Sequence, residues 1–107
     1  MTYILRPGIL TPEEVIAEHF GSTIEGMKSK SRLIEDVEAR QVAMWFYVKK
    51  RSLHMGTIGR KFNRDHSTVN YSFKRVNDLM YTDKLFRKKV QAAMILLEKI
   101  PAPKKEE

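Results

Sequence analysis

Two short helical patterns separated by three residues limit the folds open to this chain more than any other feature. The first pattern covers about residues 56–62, where the apolar residues Ile58 and Phe62 stand four positions apart and so share one face of a helix. A second pattern carries apolar residues at i, i+4, i+7 and i+11, namely Val69, Phe73, Val76 and Met80. Because only residues 63–65 separate the segments, the sequence predicts a helix-turn-helix. Gly59 inside the first segment predicts that another helix backbone crosses closely there, since glycine lacks a Cβ.

The rest of the chain also carries helical signals, so the predicted fold class is all-α, with about five to six helices. Thr11 before a proline and two acids is a helix start, and Gly21 ends that helix. Ser22 or Thr23 can cap a short helix that follows. Residues 34–50 are apolar almost all round, which is typical of a central helix covered by its neighbours.

The chain ends are expected to lie outside this helical domain. The last helix is predicted from an Asp83 cap to Ile100, where a proline stops it. We therefore expect one domain over residues 11–100, with a flexible arm at residues 1–10 and a polar tail at residues 101–107.

Positive charge is concentrated in the middle of the chain. The formal net charge is +7. Residues 28–75 hold twelve basic and four acidic residues, whereas residues 1–27 hold one basic and four acidic residues. A lysine-rich soluble surface would explain the total but not this localisation, which indicates a polyanionic partner.

Several classes of function lack their required residues. There is no cysteine, so disulfides and thiolate metal sites are excluded. No histidine and carboxylate set has zinc-ligand spacing, and no glycine-rich phosphate loop is present. The N-terminus lacks the order of a signal peptide, and the longest apolar run, over 42–48, is too short to cross a bilayer. We expect a cytoplasmic protein without enzymatic activity, cofactor, metal or membrane contact.

The second helix of the motif begins with short polar side chains. The N-terminal residues of a helix in the major groove face base edges, so His66, Ser67 and Thr68 are predicted to contact bases. Asp65 is expected to cap this helix by accepting the N–H of Thr68 or its neighbour. It can also accept from the amino group of a cytosine, and both roles can coexist. The alternative is an ordinary capped surface helix.

Cations flank this turn and are predicted to contact phosphates. Arg60, Lys61 and Arg64 border it, Arg51 precedes the motif, and Lys74 lies two turns into the second helix. Some of these charges belong to solvated surface. About five phosphate contacts predict a slope near −4 to −5 when log affinity is plotted against log salt concentration.

Several short motifs stand in a characteristic order along the chain: Ala17-Glu18-His19-Phe20, Ser29-Lys30-Ser31-Arg32, Ala39-Arg40-Gln41-Val42-Ala43-Met44, Ile58-Gly59 with Phe62, and Arg64-Asp65-His66-Ser67-Thr68-Val69. In this order they resemble the C-terminal DNA-binding domain of the bacterial replication initiator DnaA, over about 15–97. The resemblance implies a Trp-repressor-like helix-turn-helix domain that binds short duplex sites called DnaA boxes. It implies base reading by residues 65–68 and a structural or phosphate-contacting role for Arg40.

The chain departs from the family pattern at three points. The segment before the Arg-Gln pair is less basic, with Glu35, Asp36 and, where family members often carry an arginine, Glu38. No minor-groove contact is therefore expected from position 38. The turn is one residue shorter, and Asn63 is expected to adopt the left-handed conformation that the turn needs. The ATP-binding module of DnaA is absent from the chain, so we expect a free-standing domain without a nucleotide partner.

The leading hypothesis is a double-stranded-DNA-binding protein that acts in replication initiation or its regulation, or as a transcriptional regulator. A protein-interaction adaptor that keeps the fold without site-specific DNA binding is the alternative, motivated by Glu38 and the acidic start of the central helix. RNA binding is disfavoured because no exposed aromatic platform is evident.

Overall fold

The structure, a computed structural model, describes residues 11–99. The predicted arm, the predicted tail and Ile100 lie outside the described residues. Between residues 11 and 99 the chain forms six helices and no strand: α1 (Pro12–His19), α2 (Ile24–Lys28), α3 (Ile34–Arg51), α4 (Met55–Phe62), α5 (His66–Thr82) and α6 (Lys84–Leu97). The prediction of an all-α fold with a helix-turn-helix is confirmed.

Side-chain caps fix where four of these helices begin, namely α1, α2, α5 and α6. Thr11 and Glu14 form a capping box at α1, with each side chain bonded to the backbone of the other residue. Of the two candidate caps for α2, Thr23 is the one used, because its hydroxyl accepts from the Gly26 N–H. Asp83 caps α6 by accepting from the Phe86 N–H at 3.0 Å. These boundaries follow from local chemistry in the sequence.

Helix α3 is the centre of the domain, as its all-round apolar pattern predicts. It contacts α1, α2, α4 and α5, and the side chains from Val42 to Tyr47 are all buried. The polar atoms of its large aromatic residues have partners: Trp45 Nε1 donates to Asn77 Oδ1 at 2.9 Å, and the Tyr47 hydroxyl donates to Glu13. A covered helix of this kind gives its neighbours fixed positions.

The buried face of α5 differs in part from the predicted stripe. Val69 and Val76 are fully buried, but Phe73 and Met80 are only half-buried, and Ser72 is buried beside the two valines. The difference arises because α5 packs against α3, α4 and α6 together, so its covered face is wider than one stripe. The opposite face, which includes Tyr71 and Lys74, remains exposed.

None of the helices between residues 11 and 99 combines the length and the apolar character needed to span a membrane. The same part of the chain brings together no group of three potential metal ligands. His19 is a packing residue here: its ring lies edge-on to Phe20, and its Nε2–H donates to the Lys89 carbonyl at 2.9 Å. Burial, the largest effect on this ring, lowers the pKa of His19.

Candidate nucleic-acid interface

The connection between α4 and α5 is a tight turn that begins with a left-handed residue. Asn63 has a φ of 61°, as predicted from its ability to adopt this conformation. The Arg64 N–H then donates to the Gly59 carbonyl at 2.8 Å, which folds the chain back over α4. A Cβ at Gly59 would collide with the Arg64 carbonyl oxygen. The expectation of a close backbone at Gly59 is thus confirmed, but the approaching backbone is this turn and not a crossing helix.

Asp65 holds the first turn of α5 in place. Its Oδ1 accepts from the Thr68 N–H at 3.0 Å and from the Ser67 hydroxyl at 2.9 Å. The predicted cap is therefore confirmed. These bonds, with the Thr68 N–H as the largest cause, lower the pKa of Asp65, so its carboxylate is charged at neutral pH. The two hydroxyl-bearing residues are oriented by the same carboxylate that caps the helix.

The polar leading edge of α5 faces outward. Asp65, His66 and Ser67 are exposed and Thr68 is half-buried, while Val69 behind them is fully buried. The predicted base-contacting residues thus form one accessible surface at the start of one helix. An ionised carboxylate, an imidazole and two oriented hydroxyls can accept and donate hydrogen bonds at base edges.

A basic loop over residues 29–33, between α2 and α3, lies against this turn. Arg64 joins the two, because its Nη2 donates to the Ser29 carbonyl at 2.6 Å and its Nη1 to the Phe62 carbonyl at 2.9 Å. Lys30 and Arg32 of the loop are exposed, as is Lys28 just before it. None of the site residues predicted from the sequence lies in this loop, although its alternating Lys-Ser-Lys-Ser-Arg pattern was an available signal.

Arg40 of α3 supports this loop from inside. The side chain is only 7% exposed, and its Nε donates to the Met27 carbonyl at 2.7 Å. Its Nη2 lies within hydrogen-bond distance of the Ser31 and Ser29 carbonyls, at 3.1 and 3.3 Å. Burial, followed by the nearby Arg64 cation, lowers the pKa of Arg40, although a guanidinium stays charged. Of the two roles implied for Arg40, this geometry favours the structural one.

The other predicted phosphate-contacting cations are distributed unevenly. Arg60 and Lys74 are exposed, with Arg60 Nη2 donating to the Thr57 hydroxyl. Lys61 of α4 lies over the Tyr47 ring, with its Nζ 5.0 Å from the ring centroid. Arg51 instead packs over Phe46 at the end of α3 that faces α6. The structure thus brings Arg60, Lys61 and Arg64 together around α4 and the turn, and places Arg51 elsewhere.

Two of the acids at the start of α3, Asp36 and Glu38, are engaged within the protein. Glu38 lies 3.6 Å from the Lys89 ammonium of α6, and Asp36 accepts hydrogen bonds from two serine hydroxyls. Both side chains therefore make contacts within the protein.

A two-helix motif with an exposed polar leading turn, flanked by cations on a second loop, defines a helix-turn-helix DNA-binding domain. The chain belongs to the helix-turn-helix family of the bacterial DnaA protein, whose pattern matches residues 13–76. Among its relatives is the chromosomal replication initiator protein DnaA of Flavobacterium psychrophilum, 37% identical over 77 residues, which are 71% of this chain and 16% of that protein.

Two further DnaA proteins show the same relation. The chain is 34% identical over 88 residues to that of Pelobacter propionicus, covering 81% of this chain and 20% of the relative. It is 37% identical over 93 residues to the DnaA protein of Gluconobacter oxydans, covering 83% of this chain and 19% of that relative. The chain thus spans only about a fifth of the length of these curated relatives.

Proposed function

We propose that this protein binds a short double-stranded DNA site, with the first turn of α5 in the major groove. Asp65, His66, Ser67 and Thr68 contact base edges. One observation carries this proposal: these four residues lie outward on one capped turn with cations on both sides. A recognition helix needs this arrangement, because its N-terminal residues must reach the floor of the groove while flanking cations meet phosphates.

Phosphate contacts come from cations on two sides of the reading turn. Arg60, Lys61 and Arg64 lie on or just after α4, and Lys74 lies further along α5. Lys28, Lys30 and Arg32 extend this surface through the basic loop, which Arg64 joins to the turn. Arg40 is left out of this set because its side chain is buried, and Arg51 because it lies at the end of α3 that faces α6, away from the turn.

Base reading is tested by selecting duplexes from a random pool and measuring variant binding by fluorescence anisotropy. Thr68→Ala should reduce the preference for the selected site over a mismatched site by about 1–3 kcal/mol, the size of a good base contact. Thr82→Ala, at the far end of the same helix, is the matched control and should leave the preference unchanged. Equal weakening of both sites by Thr68→Ala would overturn the assignment of Thr68 as a base contact.

Phosphate contacts are tested by the salt dependence of the same binding. Lys30→Ala and Lys61→Ala should weaken binding to every duplex similarly, and each should make the log–log salt slope shallower by about one unit. Arg51→Ala should leave the slope unchanged because Arg51 lies against Phe46 and α6. A slope unaffected by Lys30→Ala would remove the loop from the interface.

The biological setting follows from the relatives, which are chromosomal replication initiator proteins. We infer that this chain acts at replication origins or in the regulation of initiation, without catalysis and in the cytoplasm. A transcriptional regulator that uses the same surface is the second candidate. Mapping the selected sites onto the host chromosome separates them, because clustering at the origin supports the first and clustering at promoters supports the second.

A further inference from the structure

The basic loop is held by two side chains of α3 that lie one helical turn apart. Asp36 and Arg40 are at i and i+4, so both project from the same face of α3. Arg40 donates to carbonyls of the loop and of α2, as described above. Asp36 supplies the complementary chemistry, because an ionised carboxylate only accepts hydrogen bonds.

Asp36 accepts from hydroxyls on two different segments. Its Oδ2 accepts from the Ser31 hydroxyl of the loop at 2.6 Å, and its Oδ1 accepts from the Ser22 hydroxyl before α2 at 2.6 Å. The carboxylate also packs against α2, since a Cβ at Gly26 would lie only 2.6 Å from Oδ1. The Ser31 oxygen in turn accepts from the Leu33 N–H at 3.2 Å. One carboxylate therefore connects α3, the start of α2 and the loop backbone.

These internal bonds leave the cations outside. Ser31, which bonds Asp36, is half-buried, whereas Lys30 and Arg32 on either side of it are exposed. Ser29 and Leu33, at the two ends of this loop, have extended backbone. Successive side chains of extended backbone point to opposite faces, so an inward Ser31 is consistent with outward neighbours.

We propose that Asp36 is a positioning residue for DNA binding: it holds Ser31 inward and thereby presents Lys30 and Arg32 to the nucleic acid. This inference rests on the proposed DNA-binding function. It reverses the ordinary expectation for an acid beside a basic surface, where loss of the negative charge strengthens binding to a polyanion. Here removal of Asp36 weakens binding, because the loss of the held loop outweighs the gain of one unit of net positive charge.

The test compares Asp36→Ala with Glu35→Gln on the intact chain and a selected duplex. Glu35 is the adjacent residue, is exposed and carries the same charge, so its variant reports the effect of charge alone. Glu35→Gln should bind the duplex as tightly as the wild type or tighter. Asp36→Ala should bind about three- to tenfold more weakly, the fold-change expected for loss of the one bond that holds the loop, from Ser31. Asp36→Asn removes the charge but keeps one accepting oxygen, so its affinity for the duplex should lie between those of Glu35→Gln and Asp36→Ala.

The salt slope separates a misplaced loop from a partly unfolded protein. Asp36→Ala should give a slope shallower by at least about one unit, because fewer loop cations reach phosphates. A partly unfolded sample lowers the active fraction but does not change the slope of the molecules that bind. Ser31→Ala changes no charge and should weaken binding in the same direction. Combining it with Asp36→Ala should add little, since both changes break the same bond.

The outcomes distinguish this inference from the function on which it rests. If the wild type binds no selected duplex, the proposed function fails and the inference fails with it. If the wild type binds but Asp36→Ala matches or exceeds Glu35→Gln in affinity, DNA binding stands and the positioning role is overturned. Fully additive effects of the Asp36 and Ser31 changes, with an unaltered salt slope, also overturn it.

Discussion

The two surfaces proposed to meet DNA are built in opposite ways. The first turn of α5 is organised by its own residues, since Asp65 bonds groups two and three positions away. The basic loop is organised by side chains from elsewhere, with Arg64 reaching Ser29 across 35 positions. A self-capped turn keeps its shape as long as its helix forms, whereas the loop keeps its shape only while α3 and the α4–α5 turn are both in place. Substitutions at shared and at separate contacts should therefore distinguish the two surfaces.

Gly59→Ala should damage both surfaces at once. The added Cβ collides with the Arg64 carbonyl, which is backbone and has no rotamer to escape into, so the turn and its link to the loop must shift. We expect a loss of about 3 kcal/mol in the free energy of unfolding, at the upper end for overpacking, measured by urea denaturation. Gly56→Ala in the same helix is the control, because its Cβ would meet only the flexible tip of Arg60. Similar losses for both glycines would contradict the collision.

Arg40→Met should affect the loop while sparing the first turn of α5. Methionine roughly fills the buried volume but leaves the carbonyls of Met27 and Ser31 without this donor. The expected cost is about 1–3 kcal/mol of unfolding free energy, as for buried groups that lose a partner. Amide hydrogen exchange should quicken over residues 28–33 and stay unchanged at Thr68. Faster exchange at both places would show that the two surfaces are not independent.

Acid should weaken both surfaces through their carboxylates. The Ser22 and Ser31 hydroxyls lower the pKa of Asp36, and the Thr68 N–H is the main cause that lowers the pKa of Asp65, both from the ordinary value of 3.8. A depressed native pKa adds stability that is complete above the unfolded-state value and is lost as pH falls through the native value. The wild type should therefore lose stability below about pH 3.8.

Asp36→Asn and Asp65→Asn should each lose less stability over that acidic window, because each has one fewer carboxylate to protonate. Urea unfolding midpoints from about pH 6 to about pH 2 measure this. The unfolding midpoint of the double variant should change less with pH than that of either single variant, since the two carboxylates belong to separate surfaces. If the unfolding midpoints of the single variants fell with pH as steeply as that of the wild type, the role of these bonds would be contradicted.

Asn63→Gly should have the smallest effect. Asn63 occupies left-handed backbone with a φ of 61°, which glycine adopts without steric cost. The free energy of unfolding should change by less than about 1 kcal/mol, whereas Asn63→Ala should lower it, since alanine tolerates this region poorly. Thermal unfolding, monitored by circular dichroism, ranks the stabilities of the wild type and the two variants. An alanine variant as stable as the glycine variant would show that the turn conformation is not under this constraint.

The sequence predicted the contacts made within a few residues and missed those made between distant segments. The helix starts at Thr11, Thr23 and Asp65 depend on partners within three residues, and these were predictable from local chemistry. The predicted base contacts of residues 65–68 remain a prediction, although the structure places these residues outward on one turn.

The sequence did not predict contacts made between distant segments. In the sequence, Asp36 and Glu38 indicate only an acidic start of the central helix, but their partners in the structure include Ser22, 14 positions away, and Lys89 of α6. The phosphate contact of Arg51 stays a prediction, although the fold places this side chain over Phe46 and apart from the turn. Neighbours of this kind are set by helix packing, which periodicity and capping signals do not specify.

The hydrogen bond from Arg64 to the Ser29 carbonyl also bears on how quickly the protein finds its ligand. A loop already fixed before encounter loses little further freedom on association, whereas each long side chain immobilised only at contact costs about 0.5–1.5 kcal/mol. Association then requires no slow rearrangement of the loop after the two molecules first meet. Encounter between this protein and a polyanion is governed by diffusion and by long-range attraction, and its rate should fall steeply as ionic strength rises.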